Sequence, residues 1–274
     1  MQPEIANGFR LSPQQRRLWA LLQGDPGSGY HSQVELLLEG PLDRGRLATS
    51  LSGLVGRHEV LRTVFRRLPG MALPLQVVEP EQLLLPQVCD LSALPAQQQE
   101  RELEALRHAP PLDGGRHLEQ GPTLRAVLAV LGRRRHRLLL GLPALCADRE
   151  SLATAARDLV EIYEGAPSSV EPLQYVDLAE WQNELQESAE TAVGREFWQQ
   201  RRPLPAFQEL RLPLSQPARG GFLPRRRIER VAPADAAAAG ALATALGVAP
   251  ELVFAACWHV LLYRLTGGQS VVVG

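Results

Sequence analysis

The sequence predicts an α+β fold, an α/β sandwich, because short apolar runs of strand length alternate with amphipathic helical segments. Residues 124–131 and 136–142 are apolar runs separated by one glycine and three arginines, a pattern typical of an antiparallel hairpin. After a six-residue break, apolar residues recur at helical spacing from Leu152 to Tyr163, and Gly165 provides a helix stop. This strand, turn and helix form the stretch around which the chain is organised.

The other elements continue this alternation. Ser12 and Asp43 are expected N-caps, since each carries a side-chain oxygen that accepts a hydrogen bond from the first helical turn. Strands are predicted at residues 34–38, 71–78, 222–231 and 270–274, and helices at residues 95–108, 175–198, 233–246 and 250–265. The last helix is apolar on nearly every side, which predicts burial. A composition change at residues 165–169 predicts a boundary between an N-terminal lobe, 1–170, and a partial C-terminal lobe, 171–274.

Composition places the chain among ordinary globular proteins. Its 274 residues are 45% hydrophobic and 22% charged, and a net charge of −1 gives no bulk attraction to nucleic acids or anionic membranes. Cys89, Cys146 and Cys257 are far apart and odd in number, so they predict neither a metal site nor a disulfide framework. Because no signal-peptide layout and no apolar run of membrane-spanning length is found, we predict a cytoplasmic protein.

Three stretches resemble the motifs of one known family. Residues 12–21 are similar to its first motif, residues 57–65 match its second almost letter for letter, and residues 175–182 resemble its fourth. Gly121-Pro122 and Phe197-Trp198 also stand where that family has them. The chain resembles the condensation domain family of nonribosomal peptide synthetases, which is related in fold to chloramphenicol acetyltransferase. The resemblance implies one lobe of that type and the incomplete start of a second lobe of the same type.

The third motif of this family, His-His-x-x-x-Asp-Gly, is altered here. The aligned window is Pro143-Ala144-Leu145-Cys146-Ala147-Asp148-Arg149, so both histidines and the glycine are replaced. In the family, the second histidine orients or deprotonates the amine that attacks a carrier-bound thioester, which requires a basic nitrogen within about 3 Å of the amine. The methyl group of Ala144 cannot supply that nitrogen. We therefore expect no catalytic residue at Pro143, Ala144, Asp148 or Arg149.

Cys146 is the only reactive side chain in this window. A thiolate nucleophile needs a base or a positive neighbour, and Arg149 could provide positive charge. A cysteine between Leu145 and Ala147 is, however, more simply explained as a small buried hydrophobic residue. The nucleophile remains the weaker interpretation.

The resemblance also implies structural roles for several residues. By motif position, Asp148 and Arg62 would form an ion pair that braces the loop, as a bidentate buried pair fixes geometry. A helix N-cap at Asp148 is the simpler alternative, and the two roles are compatible. Trp19, Tyr175, Asp177 and Trp181 are expected to pack and join the lobes rather than to contact substrate.

Three functions remain open from the sequence. The first is a truncated, catalytically inactive condensation-like domain that acts as a structural or docking element beside an adenylation domain or a peptidyl carrier protein. The second is an active acyltransferase of the same family, which forms amide or ester bonds by positioning alone or through Cys146. The third is a standalone module that binds a carrier or another partner, and self-association through the incomplete second lobe is also considered. No cofactor is expected on the chain itself, since phosphopantetheine would be carried by a partner protein.

Overall fold

The structure, a computed structural model, describes residues 8–24, 30–109, 117–121, 123–166, 169–201, 212 and 229–267. The described residues form two compact units, the first reaching Glu187 and the second beginning at Ser188. This division between compact units lies beyond residue 170, and the predicted lobe boundary there stays a prediction. The helix Tyr175–Glu187 belongs to the first unit because it bonds to the N-terminal segment, where Asn183 Nδ2 donates to the Leu11 carbonyl at 3.1 Å.

The first unit contains strands and helices in the mixed order that an α+β fold requires. Its strands are β1 (Gly8–Phe9), β2 (His31–Glu39), β3 (Thr63–Arg66), β4 (Leu75–Val78), β5 (Gln87–Asp90), β6 (Arg125–Gly132) and β7 (Arg135–Pro143). Its helices are α1 (Pro13–Gly24), α2 (Arg44–Arg57), α3 (Ala96–His108), α4 (His117–Gln120), α5 (Arg149–Glu164) and α6 (Tyr175–Glu187), with a 3-10 turn at Glu59–Arg62. The predicted strand at 71–78 is confirmed only in its second half, as β4.

Two sheets organise this unit. The larger has the order β2-β7-β6-β5, and the smaller has the order β1-β4-β3. β6 and β7 form the predicted antiparallel hairpin, while β5 runs parallel to β6. β2 pairs with β7 along its whole length, from His31 opposite Pro143 to Glu39 opposite Arg135. This register places the start of β2 beside the end of β7, where the altered motif begins.

Alternation along β7 sends one set of leucines into the main core. Leu138, Leu140 and Leu142 are each at most 1% exposed, and their spacing of two residues puts them on one face of the sheet. They join a hydrophobic cluster with Leu51 of α2 and Leu159 of α5. Full burial of each such leucine is worth about 2 kcal/mol. The strand and the helix on either side of the motif are therefore both anchored in the same core.

A smaller hydrophobic cluster involves α3. Leu103 of this helix packs with Ala129 and Leu131 of β6 and with Leu91, which follows β5. Leu103 is 1% exposed although most of its helix is charged and exposed, as predicted for residues 95–108. The helix is therefore held by this cluster and by the buried Gln99, whose Nε2 donates to the carbonyls of Leu91 and Leu131.

The predicted caps at Asp43 and Ser12 and the predicted helix stop at Gly165 are present in the structure. Asp43 accepts a hydrogen bond from the Arg46 amide at 2.9 Å. Ser12 and Gln15 form a reciprocal capping box, in which the Gln15 amide donates to Ser12 Oγ and the Ser12 amide donates to Gln15 Oε1. Gly165 adopts a φ of 83° after α5, a left-handed conformation that ends the helix at little steric cost.

The predicted Arg62–Asp148 brace is not formed, and among the described residues no ion pair joins these two side chains. Arg62 Nη1 donates to the Glu79 carbonyl, and its Nη2 lies 3.6 Å from Glu59 Oε1. Asp148 is exposed, and its Oδ1 accepts from the amide of Ser151 at 2.8 Å and from its hydroxyl at 2.7 Å. Asp148 is therefore bonded within the first turn of α5, and Arg62 is bonded near the 3-10 turn, so each side chain has a partner other than the expected one.

The second unit is helical in its described part. It contains a 3-10 turn at Ala189–Thr191, α7 (Ala192–Arg201), α8 (Pro233–Leu246) and α9 (Pro250–Thr266). The helix predicted at 175–198 is interrupted at Ser188, so α6 and α7 are separate helices. The strand predicted at 270–274 and most of the one at 222–231 lie outside the described residues.

The prediction that the helix at 250–265 is buried is wrong for the described structure. Only Leu262 of α9 is buried, whereas Leu252, Phe254, Trp258 and Tyr263 are each at least 43% exposed. α8 contacts α9 but covers too little of it to bury an all-round apolar surface. None of the described helices is on its own long and apolar enough to span a membrane, although α8 and α9, bent by 106°, reach that length and composition together.

The two roles considered for Asp148 can be separated by substitution. Asp148→Asn keeps a good capping oxygen and removes the charge, whereas Asp148→Ala removes the acceptor. As a cap, Asp148→Ala is expected to lower the free energy of unfolding by about 1 kcal/mol and Asp148→Asn by less than about 0.5 kcal/mol, measured by urea denaturation. A loss of several kcal/mol in both variants, as in a broken buried ion pair, would contradict the cap.

The stability of the wild type and that of Asp148→Asn should respond differently to acid. Hydrogen bonds from the Ser151 amide and hydroxyl hold the pKa of Asp148 below its usual value. A lowered folded-state pKa stabilises the protein at neutral pH, and this contribution is lost as the pH falls below about 4. Urea titrations from pH 7 to pH 3 should show a smaller stability loss in Asp148→Asn than in the wild type.

Candidate functional site

The altered motif forms a tight connection between β7 and α5. The Pro143 carbonyl accepts hydrogen bonds from the amides of Cys146, at 2.9 Å, and Ala147, at 3.2 Å. Two further bonds attach this loop to the start of β2, since the Ala144 amide donates to the Tyr30 carbonyl and Ser32 Oγ donates to the Ala147 carbonyl. The loop is therefore positioned by main-chain atoms as well as by its buried side chains.

A buried carboxamide supports the loop from the side of α1. Gln15 is 1% exposed, and its Nε2 donates to the Leu145 carbonyl at 3.0 Å and to Gln76 Oε1 at 2.8 Å. Gln76 is fully buried, and its Nε2 donates in turn to the Arg10 carbonyl at 2.9 Å. Because an unpaired buried amide is costly, this satisfied network specifies one arrangement of α1, β4 and the loop.

Tyr175 extends this network to α6. Its hydroxyl lies 2.8 Å from Ser12 Oγ, and burial raises the pKa of the phenol, with a smaller opposing effect from that hydrogen bond. The negative charge of Asp148 has a further, smaller effect that also raises the pKa. Tyr175 therefore remains protonated at neutral pH and acts as a hydrogen-bonding group rather than a base.

The two positions that the motif comparison aligns with the family's histidines differ in accessibility. Pro143 is buried at the end of β7, whereas Ala144 is partly exposed. The next three residues, Leu145, Cys146 and Ala147, are at most 7% exposed and belong to the main core. A partly accessible methyl group therefore stands where the family pattern has its second histidine.

Cys146 has the environment of a core residue. Its side chain packs in the main hydrophobic cluster, and burial raises the pKa of the thiol to about 12. Arg149 is exposed at the first position of α5 and does not offset this effect. A thiol with this pKa is almost entirely protonated at neutral pH, which weighs against the nucleophile interpretation.

The remaining predicted packing residues divide between core and surface. Trp19 is 5% exposed, and its ring lies 6.5 Å from that of Phe65 inside the first unit. Asp177 is exposed and Trp181 is 57% exposed, so neither packs in the core of that unit. A role for these two residues in joining the lobes stays a prediction.

His31 is a nearby basic group that the motif comparison did not indicate. It opens β2 directly opposite Pro143, so the two residues share one face of the sheet. Its side chain is half-buried, and burial lowers the pKa of the imidazole, which is therefore neutral at pH 7. The sequence alone did not indicate this proximity, because 112 residues separate His31 from Pro143 and only the register of β2 against β7 brings them together.

The described residues contain no group of three His, Cys, Asp or Glu side chains that could hold a metal ion. The three cysteines are free, with Cys89 partly exposed in β5, Cys146 buried in the loop and Cys257 exposed in α9. The candidate site therefore consists of the loop, the Gln15 network, Tyr175 and His31.

Comparisons with known proteins agree with this architecture. The condensation domain family matches residues 5–274. Surfactin synthase subunit 2 from Bacillus subtilis is 30% identical to this chain over 272 residues, which cover 97% of this chain and 7% of that protein. The chain therefore spans a small part of this relative.

Solved structures give the same result. The crystal structure of the SgcC5 protein from Streptomyces globisporus superposes with a TM-score of 0.73 and 27% identity, covering 95% of this chain and 61% of that one. The condensation domain from Monacolin K polyketide synthase MokA shares the fold, with a TM-score of 0.77, 22% identity, and coverage of 96% and 61%. The α+β prediction is confirmed. With a family match over nearly all of its length, the chain belongs to the condensation domain family of nonribosomal peptide synthetases.

Proposed function

We propose that this chain is a catalytically inactive condensation-family domain of a cytoplasmic nonribosomal peptide synthetase. In this proposal it acts as a structural and docking element beside an adenylation or carrier domain. The single observation that carries the proposal is the partly exposed methyl of Ala144 at the position of the family's second histidine. Phosphopantetheine would enter only as part of a substrate on the partner carrier.

The chemistry explains why this substitution matters. Amide formation joins the amine nitrogen to the thioester carbonyl carbon, breaks the carbon–sulfur bond, and moves a proton from the amine towards the leaving thiolate. A base that accepts this proton typically contributes a factor of about 10²–10⁴ to the rate. Tyr175 and Cys146 are protonated because burial raises the pKa of each, so neither replaces a histidine.

The apolar surface of α9 supports the docking part of the proposal. Leu252, Phe254, Trp258, Val260 and Tyr263 are each at least 43% exposed on this one helix. Exposed apolar patches mark protein–protein contact surfaces, and buried aromatic residues often supply most of the binding energy. An adenylation or carrier domain that covers α9 would bury this surface.

A docking experiment tests the proposal directly. The purified chain is titrated with the adenylation and carrier domains of its assembly line, and binding is measured by calorimetry. Trp258→Glu, on a side chain that is 50% exposed, is expected to weaken binding at least tenfold. Trp198→Glu is the matched control, because Trp198 is 63% exposed on α7. Equal binding by wild type and Trp258→Glu would contradict docking through α9.

A condensation assay tests inactivity. With loaded donor and acceptor carriers, the chain is expected to form no amide or ester product above the rate of the carriers alone, followed by mass spectrometry. Product formation that requires the chain would overturn the proposal and favour an active acyltransferase.

His31 is the specific observation that favours this second candidate function. Its neutral imidazole lies beside the end of β7 and carries no hydrogen bond within the described part of the chain. If the chain is active, His31→Gln is expected to lower the rate at least about 100-fold, whereas His108→Gln, on an exposed histidine of α3, leaves it unchanged. The wild-type rate should fall only when the pH drops below about 6.5, because burial lowers the pKa of His31. An active chain that tolerates His31→Gln would exclude this base.

Activity through Cys146 has its own test. The native chain is treated with iodoacetamide at pH 8, and the modified peptides are quantified by mass spectrometry. Because thiolate is the reacting species, a thiol with a pKa of about 12 is expected to react at least about 100-fold more slowly than the exposed Cys257. Both residues should react equally in urea. Equal rates in the native chain would restore the nucleophile interpretation.

A further inference from the structure

The strand β2 forms one edge of the larger sheet. The strand order β2-β7-β6-β5 gives β2 a single neighbour, and its nine residues pair with β7 without a register shift. β5, at the other edge, has only four residues. A long, regular edge strand offers a row of main-chain donors and acceptors to another strand, whereas a short edge is protected. β2 is therefore the edge of this sheet that is suited to accept a further strand.

The pairing with β7 shows which main-chain groups of β2 point away from the sheet. The Ala144 amide donates to the Tyr30 carbonyl before the strand, and the Gly40 amide donates to the Arg134 carbonyl after it. Hydrogen-bonded pairs alternate along an antiparallel ladder, so the even-numbered residues of β2 bond to β7. The amides and carbonyls that point outwards belong to the odd-numbered residues: 31, 33, 35, 37 and 39. Among the described residues, no strand pairs with this side of β2.

The side chains of β2 are incompletely covered on both faces of the strand. Three residues pack against the main core but are only partly buried: Val34, Leu36 and Leu38. On the opposite face, Leu37 is 48% exposed. Glu35 is held there by Arg107, whose Nε and Nη2 donate to its carboxylate at 2.7 Å and 3.1 Å. A strand added to this edge would therefore cover apolar side chains beside a carboxylate that is already paired.

β2 is complementary to a second copy of itself in one antiparallel register. This register places Leu36 opposite Leu36 of the other copy and Val34 opposite Leu38, so apolar residues meet on the core side of the sheet. The outward-pointing main-chain groups then lie in hydrogen-bonded pairs, which have these members: Glu35 with Leu37, and Gln33 with Glu39. No pair in this register has two like charges.

Other registers are less favourable. A twofold axis at Glu35, or at Leu37, would place two glutamates opposite each other, which is destabilising. An axis at Val34 would place Ser32 opposite Leu36, so a hydroxyl would replace one of the apolar contacts. The pattern of β2 therefore favours the axis at Leu36.

We propose that β2 pairs with β2 of a second copy of this chain, antiparallel and about a twofold axis at Leu36. The two four-stranded sheets then form one continuous sheet. Each hydrogen-bonded residue pair exchanges two main-chain hydrogen bonds across the interface. This interaction is independent of the proposed docking function, because it uses neither α9 nor residues 143–149.

Sedimentation velocity of the whole chain over a concentration series tests the pairing. Strand pairing alone gives a small interface, so the dimer is expected at about 10–100 μM. Leu37→Pro removes an outward-pointing amide and leaves the hydrogen bonds to β7 intact, a change that edge strands tolerate, and dimerisation is expected to weaken at least tenfold. Leu37→Thr is the matched control, because it keeps the amide and a side chain that favours strands. A chain that stays monomeric at about 1 mM, or undiminished dimerisation of Leu37→Pro, would overturn the proposal.

Disulfide cross-linking tests the register. The exposed Cys257 is first replaced by Cys257→Ser, so that it does not form disulfides of its own. At the twofold axis, Leu36→Cys places two sulfurs on residues whose Cα atoms are about 4.5 Å apart, within the range for a disulfide. Val34→Cys is the control, because its counterpart lies about 13 Å further along the strand. Oxidation is expected to give covalent dimers of Leu36→Cys alone on a non-reducing gel. Cross-linking of Val34→Cys instead, or of neither variant, would refute this pairing.

Discussion

The buried carboxamide of Gln15 is the interaction on which the arrangement of the first unit depends. It belongs to the capping box of α1, yet its nitrogen bonds the loop after β7 and the side chain of Gln76 in the smaller sheet. One side chain therefore connects a helix start and elements of both sheets. In a low-dielectric interior, such a fully satisfied network specifies geometry more strictly than apolar packing does. The shape of the loop is consequently maintained from outside the motif.

Because of this external support, the loop keeps its position without a histidine at residue 143 or 144. Pro143 ends a strand that is paired over its full length, and Leu145, Cys146 and Ala147 contribute to the core. None of these interactions requires an imidazole at residue 144. Within the seven-residue window, the residues that hold the loop in place are therefore different from the position that would do chemistry. The fold consequently places little constraint on whether the site reacts.

Local patterns in the sequence predicted local structure well. The hairpin, the caps at Asp43 and Asp148 and the helix end at Gly165 each depend on neighbouring residues, and the structure confirms them. Predictions that depended on contacts between residues far apart in the sequence were less accurate. The Arg62–Asp148 pair was inferred from motif positions, but each side chain has a nearer partner. The proximity of His31 to the loop follows from strand register, which a single sequence does not reveal.

Two further differences from the sequence analysis have a related reason: the two compact units divide after Glu187, and α9 is exposed. α6 is amphipathic and polar, and only its contacts with the N-terminal segment, such as Arg10 with Glu180, assign it to the first unit. Helix α9 is apolar all round, which indicates that it has several neighbours without identifying them. Hydrophobic periodicity indicates that a helix surface is covered, but only the tertiary structure shows which element covers it.

The capping role of Asp148 has a consequence for how members of this family are compared. A carboxylate at this place stabilises the start of α5 whether or not any reaction occurs beside it. The presence of this aspartate in a homologue therefore indicates a folding requirement and is a poor guide to whether that homologue turns over substrate.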